Sequence, residues 1–471
     1  MKKKVTAVFD IGRTNKKFFL FDSDFQEVYR EYSRFDEITD EDGYPTENLE
    51  ALEKWAKEVF DRMMESPEFE IRALNFSCYG ASLVHIDKNG KVLTPLYNYM
   101  KPLKTEVFDD FYDKYGPENE LSRSTGSQKL GMLNTGMQLY WFKYERPKVY
   151  EKIKYSLHLP QYLSYLFTGI PVSEHTSIGC HTMLWDYEKK DYHDWVYKEG
   201  IHEKFPPIAS SRETTPVNYK GKNIQMGVGV HDSSSALLPY IRSIKKPFLL
   251  ISTGTWSISI NPFNKGMLTK EDIGNGCLFN MRIDGSPVKV STLFLGNEYK
   301  LQIKELSAHF KVQEDYHRTV KFNQDTFFEI NKDFEHMFKW ASIVSENMPE
   351  ETKIPYDNFE HTYHQLMLEL VLLQVKSIRS AIGNENIKRL YIDGGFSDNE
   401  VYIQLLSRYL DNMKISTTDS SLGSALGAAI VISDVTLEPK FLKKNYALKK
   451  HLPFIIQKSG TLRNSGNDQL T

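Results

Sequence analysis

A segment that runs strand, glycine turn, strand occurs twice in this chain, and it constrains the fold more than any other feature. In the first copy, VTAVF ends at Asp10, a turn containing Gly12 follows, and β-rich residues resume at Phe18. In the second copy, FLLIS leads through TGT into WSISIN. Two hairpins of one form predict an internal duplication, in which each half of the chain begins with the same device.

The length of 471 residues also predicts two domains, because single hydrophobic cores stop growing well below this size. A polar, proline-containing stretch at 241–247 separates the two halves. We therefore expect an N-terminal domain over 1–244, a C-terminal domain over 245–435 and a tail over 436–471.

Hydrophobic periodicity predicts the elements between these landmarks. The region 105–205 is rich in aromatic residues and is expected to be mainly helical. A run of small residues at 420–430 predicts a helix that packs closely on a neighbour. The other predicted elements are a helix over 49–64, strands over 71–76 and 83–86, a helix over 361–381, a strand over 390–393 and a helix over 398–410.

Composition and charge exclude several classes of function. A net charge of −3 gives no long-range attraction to nucleic acid or to a membrane surface. The longest apolar runs fall far short of the ~20 residues that span a bilayer. Three widely separated cysteines argue against a disulfide framework and suit a reducing compartment, so we expect a cytoplasmic protein.

One short cluster, His175 followed by Cys180 and His181, contains residue types that bind metals. Its spacing matches no zinc pattern, and no second ligand pair follows in the sequence. The sequence therefore favours ordinary polar and buried residues at these positions.

The first glycine turn has the composition of a phosphate site. A tight turn between two strands directs successive backbone N–H groups into one concavity, which binds anions. Thr14 and Lys17 can donate hydrogen bonds or charge to phosphate oxygens. Asp10 suits Mg²⁺, directly or through water, because Mg²⁺ prefers oxygen ligands and bridges phosphates. The plain alternative is a hairpin with a solvated loop.

Two later segments have similar potential. The turn at 252–255 offers hydroxyl and amide groups for distal phosphates, although a Ser/Thr-rich β-turn is its plain alternative. The paired glycines of DGGFSDN, at 393–399, allow a flat ring or a ribose to lie on the backbone at a helix N-terminus. Here the alternative is a simple strand–helix turn with Asp398 as the N-cap.

Asp232 is the candidate general base. It follows the glycine-rich strand GVGVH at the end of the first domain, where a cleft between domains is expected. A carboxylate there can accept the proton of an alcohol as its oxygen attacks phosphorus. The alternative role is the N-cap of the next helix.

Four landmarks stand in one order: DIGRTNKK, GVHDSSSA, STGTWS and DGGFSDN. Their order and spacing resemble the FGGY carbohydrate kinases of the actin/hexokinase-like ATPase superfamily, over roughly 5–435. The runs LHLPQYLSYLFTG at 157–169 and SEHTSIGCHTMLWD at 173–186 resemble most the L-rhamnulokinase and L-fuculokinase branch.

The resemblance implies an α/β fold of two ribonuclease H-like domains, with ATP, Mg²⁺ and a sugar in the cleft between them. It implies a monomer or homodimer, with Asp232 as the catalytic base. The implied phosphate and adenosine contacts are Asp10, Gly12, Thr14, Asn15, Lys17, Thr253, Gly254, Thr255, Gly394, Gly395 and Asn399. The implied sugar contacts are Gly80, Ala81, Asn134, Glu174, Thr176 and His231.

The activity implied is ATP-dependent phosphorylation of a ketose, first of all a 6-deoxy-ketose such as L-rhamnulose or L-fuculose, to its 1-phosphate. Many relatives carry Asp-x-Arg in the region that reads YNYMKP at 97–102 here, so the substrate stays open. The alternatives are a kinase for ribulose or xylulose, a non-catalytic ATP or sugar sensor, and an actin-like filament or chaperone ATPase.

Overall fold

A computed structural model describes residues 2–343, 345, 347–354, 356–419, 422–433, 435–438 and 440–453. These residues form two seven-stranded mixed sheets, one from each half of the chain, with helices packed around them. The predicted α/β class is therefore confirmed.

The first half begins with strands and one long helix. In chain order, its elements are β1 (Lys3–Ile11), β2 (Lys16–Phe21), β3 (Glu27–Ser33), β4 (Ile38–Thr39), β5 (Pro45–Thr46), α1 (Leu49–Met64), β6 (Phe69–Cys78) and β7 (Leu83–Ile86).

The next region, expected to be mainly helical, mixes helices with short strands. Its elements are α2 (Thr105–Tyr115), α3 (Glu118–Thr125), α4 (Thr135–Glu145), α5 (Pro147–Tyr150), β8 (Tyr155–His158), α6 (Leu159–Thr168), β9 (Ser173–Glu174), α7 (His175–Ile178), β10 (Trp185–Asp186), β11 (Asp191–Tyr192) and α8 (Asp194–Lys198). Strands β12 (Ile208–Ala209), β13 (Thr214–Tyr219), β14 (Lys222–Gly227) and β15 (Val230–His231) then lead into α9 (Asp232–Ser243). Short 3₁₀ helices lie at Gly131–Leu133 and Ile201–Lys204.

The second half repeats the pattern of strands followed by helices. Its elements are β16 (Leu249–Thr253), β17 (Ser257–Asn261), α10 (Lys270–Gly274), β18 (Cys277–Met281), β19 (Pro287–Leu293), α11 (Leu295–Phe310), a 3₁₀ helix (Tyr316–Thr319), α12 (Gln324–Lys332), α13 (Phe359–Ile382), β20 (Arg389–Gly394), α14 (Glu400–Tyr409), β21 (Lys414–Thr418), α15 (Gly423–Val431), α16 (Phe441–Asn445) and β22 (Lys449–His451).

The two sheets share one topology around their first hairpin. In the first sheet, β1 pairs antiparallel with β2 and parallel with β6. In the second sheet, β16 pairs antiparallel with β17 and parallel with β20. The strand orders are β13-β14-β6-β1-β2-β3, with β15 also paired to β6, and β18-β19-β17-β16-β20-β21-β22. The prediction that each half begins with the same hairpin is confirmed.

Helix α1 shows why local pattern predicts these elements well. The Asn48 side chain accepts a hydrogen bond from the Ala51 N–H and caps the helix, so the helix begins where the polar turn ends. Its apolar face is buried, and Trp55 packs edge-on against Phe9 of β1 with ring centroids 5.3 Å apart. The helix has the predicted bounds.

Helix α15 joins the two halves. It packs against α9 and against strands β1 and β6 of the first sheet. A Cβ on Gly427 would lie 1.9 Å from the Ser235 carbonyl oxygen, so only glycine permits this approach. The Asn75 side chain also donates a 2.8 Å hydrogen bond to the Ala428 carbonyl. The predicted close-packed helix is confirmed from residue 423, whereas positions 420 and 421 lie outside the described residues.

The segment predicted as a tail contributes to the second sheet. Strand β22 pairs antiparallel with β21, and helix α16 precedes it. Positions 454–471 of the predicted tail lie outside the described residues. Among the helices that the structure describes, none has the length and apolar character needed to cross a membrane.

Candidate active site

Three parallel strands of the first sheet end side by side. The register of β1 on β6 pairs Asp10 with Ser77, and the register of β15 on β6 pairs His231 with Cys78. Asp232 is the first residue of α9, directly after β15. The carboxyl ends of parallel strands meet at one edge of a sheet, where open α/β folds bind ligands. Asp232, the predicted base, and Asp10, the predicted Mg²⁺ ligand, therefore both lie at this edge.

Asp10 is buried and has partners from both halves of the protein. Its Oδ1 accepts a 2.8 Å hydrogen bond from the Ser424 hydroxyl at the start of α15. Its other oxygen lies 3.6 Å from Lys17 Nζ. Burial raises the pKa of Asp10; Lys17 and Ser424 oppose this, and the nearby charge of Asp232 adds to it. Two neighbouring carboxylates, one of them buried, fit a divalent cation with oxygen ligands.

The carboxyl of Asp232 keeps partial access to solvent, with 32% of its side chain exposed. It accepts hydrogen bonds from the backbone N–H and the hydroxyl of Ser233. Burial of the carboxyl raises the pKa of Asp232 to about 6. The N-cap of α9 is His231, and Asp232 is its first helical residue, so the alternative role of Asp232 as N-cap is wrong.

The first glycine turn is closed by its own backbone. The Gly12 N–H donates a 3.0 Å hydrogen bond to the Asn15 carbonyl, and Thr14 at the tip is exposed. The Asn15 side chain accepts from Arg34 Nε at 2.8 Å. Lys17, on β2, is the residue whose ammonium group faces Asp10.

The neighbouring lysine has a different role. Lys16 is buried and forms an ion pair with Glu47, with 2.7 Å between Nζ and the carboxylate oxygen. Its ammonium group also donates to the Arg13 carbonyl at 3.0 Å. Arg13 is itself ion-paired with Glu37. The positive charges of Arg13 and Lys16 in this turn are thus balanced by Glu37 and Glu47.

The second glycine turn is held by the loop that follows β20. Strands β16 and β20 pair Thr253 with Gly394. The Thr253 hydroxyl donates to the Asp393 carbonyl at 2.6 Å and accepts from the Phe396 N–H at 3.1 Å. The hydroxyl proton is therefore engaged in a hydrogen bond inside the protein. The side chain stabilises the turn by linking it to the loop that follows β20. Gly254 and Thr255 form the exposed part of this turn.

A cavity of about 460 Å³ lies beside the DGGFSDN loop. Asn399 lines this cavity. It also caps α14, because its Oδ1 accepts a 3.0 Å hydrogen bond from the Tyr402 N–H. Its Nδ2 donates to the Tyr363 hydroxyl. Asn399, and not Asp398, is thus the N-cap. The other lining residues are Tyr299, His317, Arg318, Val320, Lys321, Gly395, Phe396, Asp398 and Glu400.

The predicted sugar contacts separate into two groups. Gly80, after β6, lies against the His231 ring: a Cβ on Gly80 would be 2.8 Å from His231 Nε2. Ala81 follows with φ of 61° and directs its carbonyl to Gln138. The half-buried Gly80 and the buried His231 ring thus lie next to Asp232, whose Oδ1 is 3.4 Å from His231 Nε2.

The remaining three candidates are fully buried and committed to internal hydrogen bonds. Asn134 donates to the His181 carbonyl at 2.6 Å. Glu174 accepts a 2.6 Å hydrogen bond from the Thr176 hydroxyl, which in turn accepts from the His231 N–H at 2.9 Å. Glu174 and Thr176 thus hold the segment that carries His231, and Asn134 holds the loop that carries His181.

The first half of the chain matches a known protein family. The sequence profile of the N-terminal domain of the FGGY family of carbohydrate kinases matches residues 5–236. This part of the chain belongs to that family.

Similar proteins and solved structures extend the comparison to most of the chain. The chain is 22% identical to a rhamnulokinase from Oceanobacillus iheyensis, and the match covers 78% of each protein. It is 24% identical to an L-fuculokinase from Escherichia coli, covering 55% of this chain and 56% of that protein. A carbohydrate kinase structure from Novosphingobium aromaticivorans superposes with a TM-score of 0.79 at 22% identity, over 96% of this chain and 95% of the other. A xylulose kinase from Lactobacillus acidophilus gives 0.76 at 14% identity, over 96% and 94%. These likenesses confirm the expected fold.

Some residues of the candidate site could not be identified from the sequence. Ser424 stands in a run of small residues that predicted only close helix packing, yet it contacts Asp10. Cys180 and His231 are 51 positions apart but lie 3.2 Å from each other, measured from Sγ to Nε2. Only the fold brings these pairs together, because each pair joins residues distant in the chain.

Proposed function

We propose that this carbohydrate kinase transfers the γ-phosphoryl group of ATP, with Mg²⁺, to a ketose. The first-choice substrate is a 6-deoxy-ketose, L-rhamnulose or L-fuculose, and the product is the 1-phosphate. The observation that carries the proposal is the position of Asp232. It lies at the same sheet edge as Asp10, is partly open to solvent, and has a pKa raised to about 6.

Each carboxylate has a distinct role in this proposal. With a pKa of about 6, Asp232 is ionised at neutral pH, yet it is a stronger base than an ordinary aspartate. It accepts the proton of the sugar hydroxyl as the oxygen attacks phosphorus. Asp10, with Lys17 beside it, would hold Mg²⁺, which when bound neutralises phosphate charge.

In this proposal, the two glycine turns bind the phosphates of the nucleotide and the cavity binds its adenosine part. The exposed tips at Thr14 and Thr255 offer hydroxyl groups to phosphate oxygens, whereas the Gly254 N–H already donates to the Trp256 carbonyl at 2.8 Å. The cavity beside Gly395 and Asn399 receives the adenosine part. Thr253 links these regions, because it is hydrogen-bonded to the loop that borders the cavity.

The sugar class is supported by the relatives. The proteins of similar sequence include rhamnulokinases and an L-fuculokinase, and the motifs around Asp232 resemble those of that branch. Gly80 and His231 provide the surface against which the acceptor sugar lies.

A coupled ADP-release assay tests the proposal. The panel contains L-rhamnulose, L-fuculose, L-ribulose, D-xylulose and glycerol, each with ATP and Mg²⁺. We expect kcat/KM to be at least about tenfold higher for one 6-deoxy-ketose, the scale on which a pocket discriminates one small group. A higher value for a pentulose would favour the alternative kinase. ADP release that no sugar increases would contradict the kinase proposal.

A further inference from the structure

Three potential metal ligands converge beside Asp232. Cys180 and His181 follow helix α7, and His231 ends β15. One ligand atom from each residue lies within 4.8 Å of the other two. Cys180 Sγ is 3.2 Å from His231 Nε2, and both side chains are buried. The sequence predicted no such site, because it shows Cys180 and His181 without their third partner.

The surrounding hydrogen bonds leave the ligand atoms available. His181 Nδ1 is 3.2 Å from the Leu133 carbonyl, which fixes a proton on that nitrogen and leaves the Nε2 lone pair free. Backbone contacts of this kind orient metal-binding histidines in proteins. His231 Nδ1 is buried and has no hydrogen-bond partner among the described residues, and His231 Nε2 is the ring atom that faces Cys180 Sγ.

Gly80 allows the ligand residues to lie close to the backbone that follows β6. A side chain at Gly80 would meet both His231 Nε2, at 2.8 Å from its Cβ, and Cys180 Sγ, at 3.5 Å. The Asp232 carboxylate lies beside the cluster, with its Oδ1 3.4 Å from His231 Nε2. One thiolate and two imidazoles are a set of three protein ligands that zinc accepts, with water in the fourth position.

We propose that Cys180, His181 and His231 bind a thiophilic divalent cation of the zinc class beside Asp232, and that this cation inhibits the kinase. Binding forms a bond between the metal and Cys180 Sγ, and the thiol proton leaves to solvent. Sulfur and imidazole favour zinc, whereas Mg²⁺ prefers oxygen ligands, so this site is distinct from the one at Asp10. Occupation places a divalent cation beside the Asp232 carboxylate and next to Gly80, where the sugar is proposed to lie. The inhibition rests on the proposed function, but the binding does not.

Cobalt is the probe for binding. The reduced, chelator-treated protein is titrated with Co²⁺ without sugar or ATP, and the near-ultraviolet sulfur-to-cobalt charge-transfer band is recorded. We expect one Co²⁺ per chain, displaced by Zn²⁺. Cys180→Ser should abolish the band, whereas Cys277→Ser, at another buried cysteine in the second sheet, should keep it. No band, or a band unchanged in Cys180→Ser, overturns the site.

A second variant tests the site independently if Cys180→Ser does not fold. His181 has φ of 43°, which asparagine tolerates, and an asparagine amide can still donate to the Leu133 carbonyl. His181→Asn should therefore fold and weaken Co²⁺ binding at least about tenfold. Unchanged affinity in a folded His181→Asn protein contradicts the site.

The kinetic measurement tests the inhibition separately. With saturating Mg²⁺–ATP, Zn²⁺ should raise KM for the sugar, and a chelator should reverse the effect. Cys180→Ser and His181→Asn should need at least about tenfold more Zn²⁺ for the same inhibition. Cobalt binding without zinc inhibition would overturn the inhibitory role alone. If no sugar is phosphorylated, the cobalt titration still decides the site.

Discussion

The hydroxyl of Ser424, in the first turn of α15, donates a 2.8 Å hydrogen bond to Asp10 Oδ1 at the end of β1. These residues belong to opposite halves of the chain, and Asp10 is the proposed Mg²⁺ ligand. Because of this contact, the ionisation and orientation of Asp10 depend on the position of α15 relative to the first sheet.

Ser424→Ala should therefore impair metal use. Loss of a hydrogen bond to a charged group costs about 1.5–3 kcal/mol, and here it also removes an interaction that lowers the pKa of Asp10. We expect a higher Mg²⁺ concentration for half-maximal activity and a lower free energy of unfolding. Ser424→Thr keeps the hydroxyl and should restore part of both. Equal Mg²⁺ dependence in wild type and Ser424→Ala would show that the contact is incidental.

Asp232→Asn should remove most sugar phosphorylation. An amide cannot accept the hydroxyl proton, and loss of a positioned base typically lowers kcat by about 10²–10⁴-fold. ATP affinity, measured by calorimetry, should change little because the nucleotide contacts lie elsewhere. Asp24→Asn, at an exposed turn, is the control and should behave as wild type. A kcat within twofold of wild type for Asp232→Asn would reject the proposed base.

Local chemistry explains which features the sequence predicts. Both hairpins and α1 were predictable, because strand alternation, glycine turns and the Asn48 cap act over a few neighbouring residues. Asn134, Glu174 and Thr176 are predicted sugar contacts, and the structure shows that all three are buried and make internal hydrogen bonds. A polar residue has the same letter in the sequence whether it binds a ligand or satisfies the backbone.

The part of the site that sequence could not predict depends on distant pairs. The position of Thr253 in the turn predicts a phosphate contact. In the structure, its hydroxyl is hydrogen-bonded to the backbone at Asp393 and Phe396, about 140 positions away. The same holds for Ser424 with Asp10. Such partners become visible only after both sheets have formed and brought their strand ends together.

Gly427→Ala should destabilise the protein. The new Cβ would lie 1.9 Å from the Ser235 carbonyl oxygen, so α15 and α9 must separate. Overpacking of this kind typically costs about 1–3 kcal/mol, more than the gain in helix propensity. Gly274→Ala, in α10, meets nothing within 4 Å and should be neutral or stabilising. Urea unfolding measures both, and equal effects of the two variants would contradict the close helix contact.

Gly395→Val should weaken ATP binding without disturbing the fold. Gly395 lines the cavity beside Asn399, and its Cβ position has no neighbouring atoms within 4 Å. The larger side chain therefore occupies space proposed for adenosine. We expect KM for ATP to rise by about tenfold, equivalent to ~1.4 kcal/mol, with KM for the sugar and the melting temperature nearly unchanged. An unchanged KM for ATP would place the adenosine elsewhere.

Glu199 should make stability depend on pH. Its carboxylate is almost fully buried and forms ion pairs with Lys114 and Lys143. Burial alone would raise the pKa of Glu199, but hydrogen bonds from these lysines and from Tyr115 and Tyr144 outweigh it and lower the pKa to about 2. A depressed pKa stabilises the folded state above the unfolded value of about 4.5. This stabilisation, up to about 3 kcal/mol, is lost as the pH falls from about 4.5 towards 2.

The matching experiment compares Glu199→Gln with Glu188→Gln. Glu188 pairs with Arg123 on the surface, where such pairs contribute about 0–1 kcal/mol, so its removal should matter little. Denaturant unfolding between pH 7 and pH 3 should show a large deficit for Glu199→Gln at pH 7 that shrinks towards pH 3. A deficit independent of pH would mean that Glu199 contributes through packing, because a charge effect must vanish when the carboxyl is protonated.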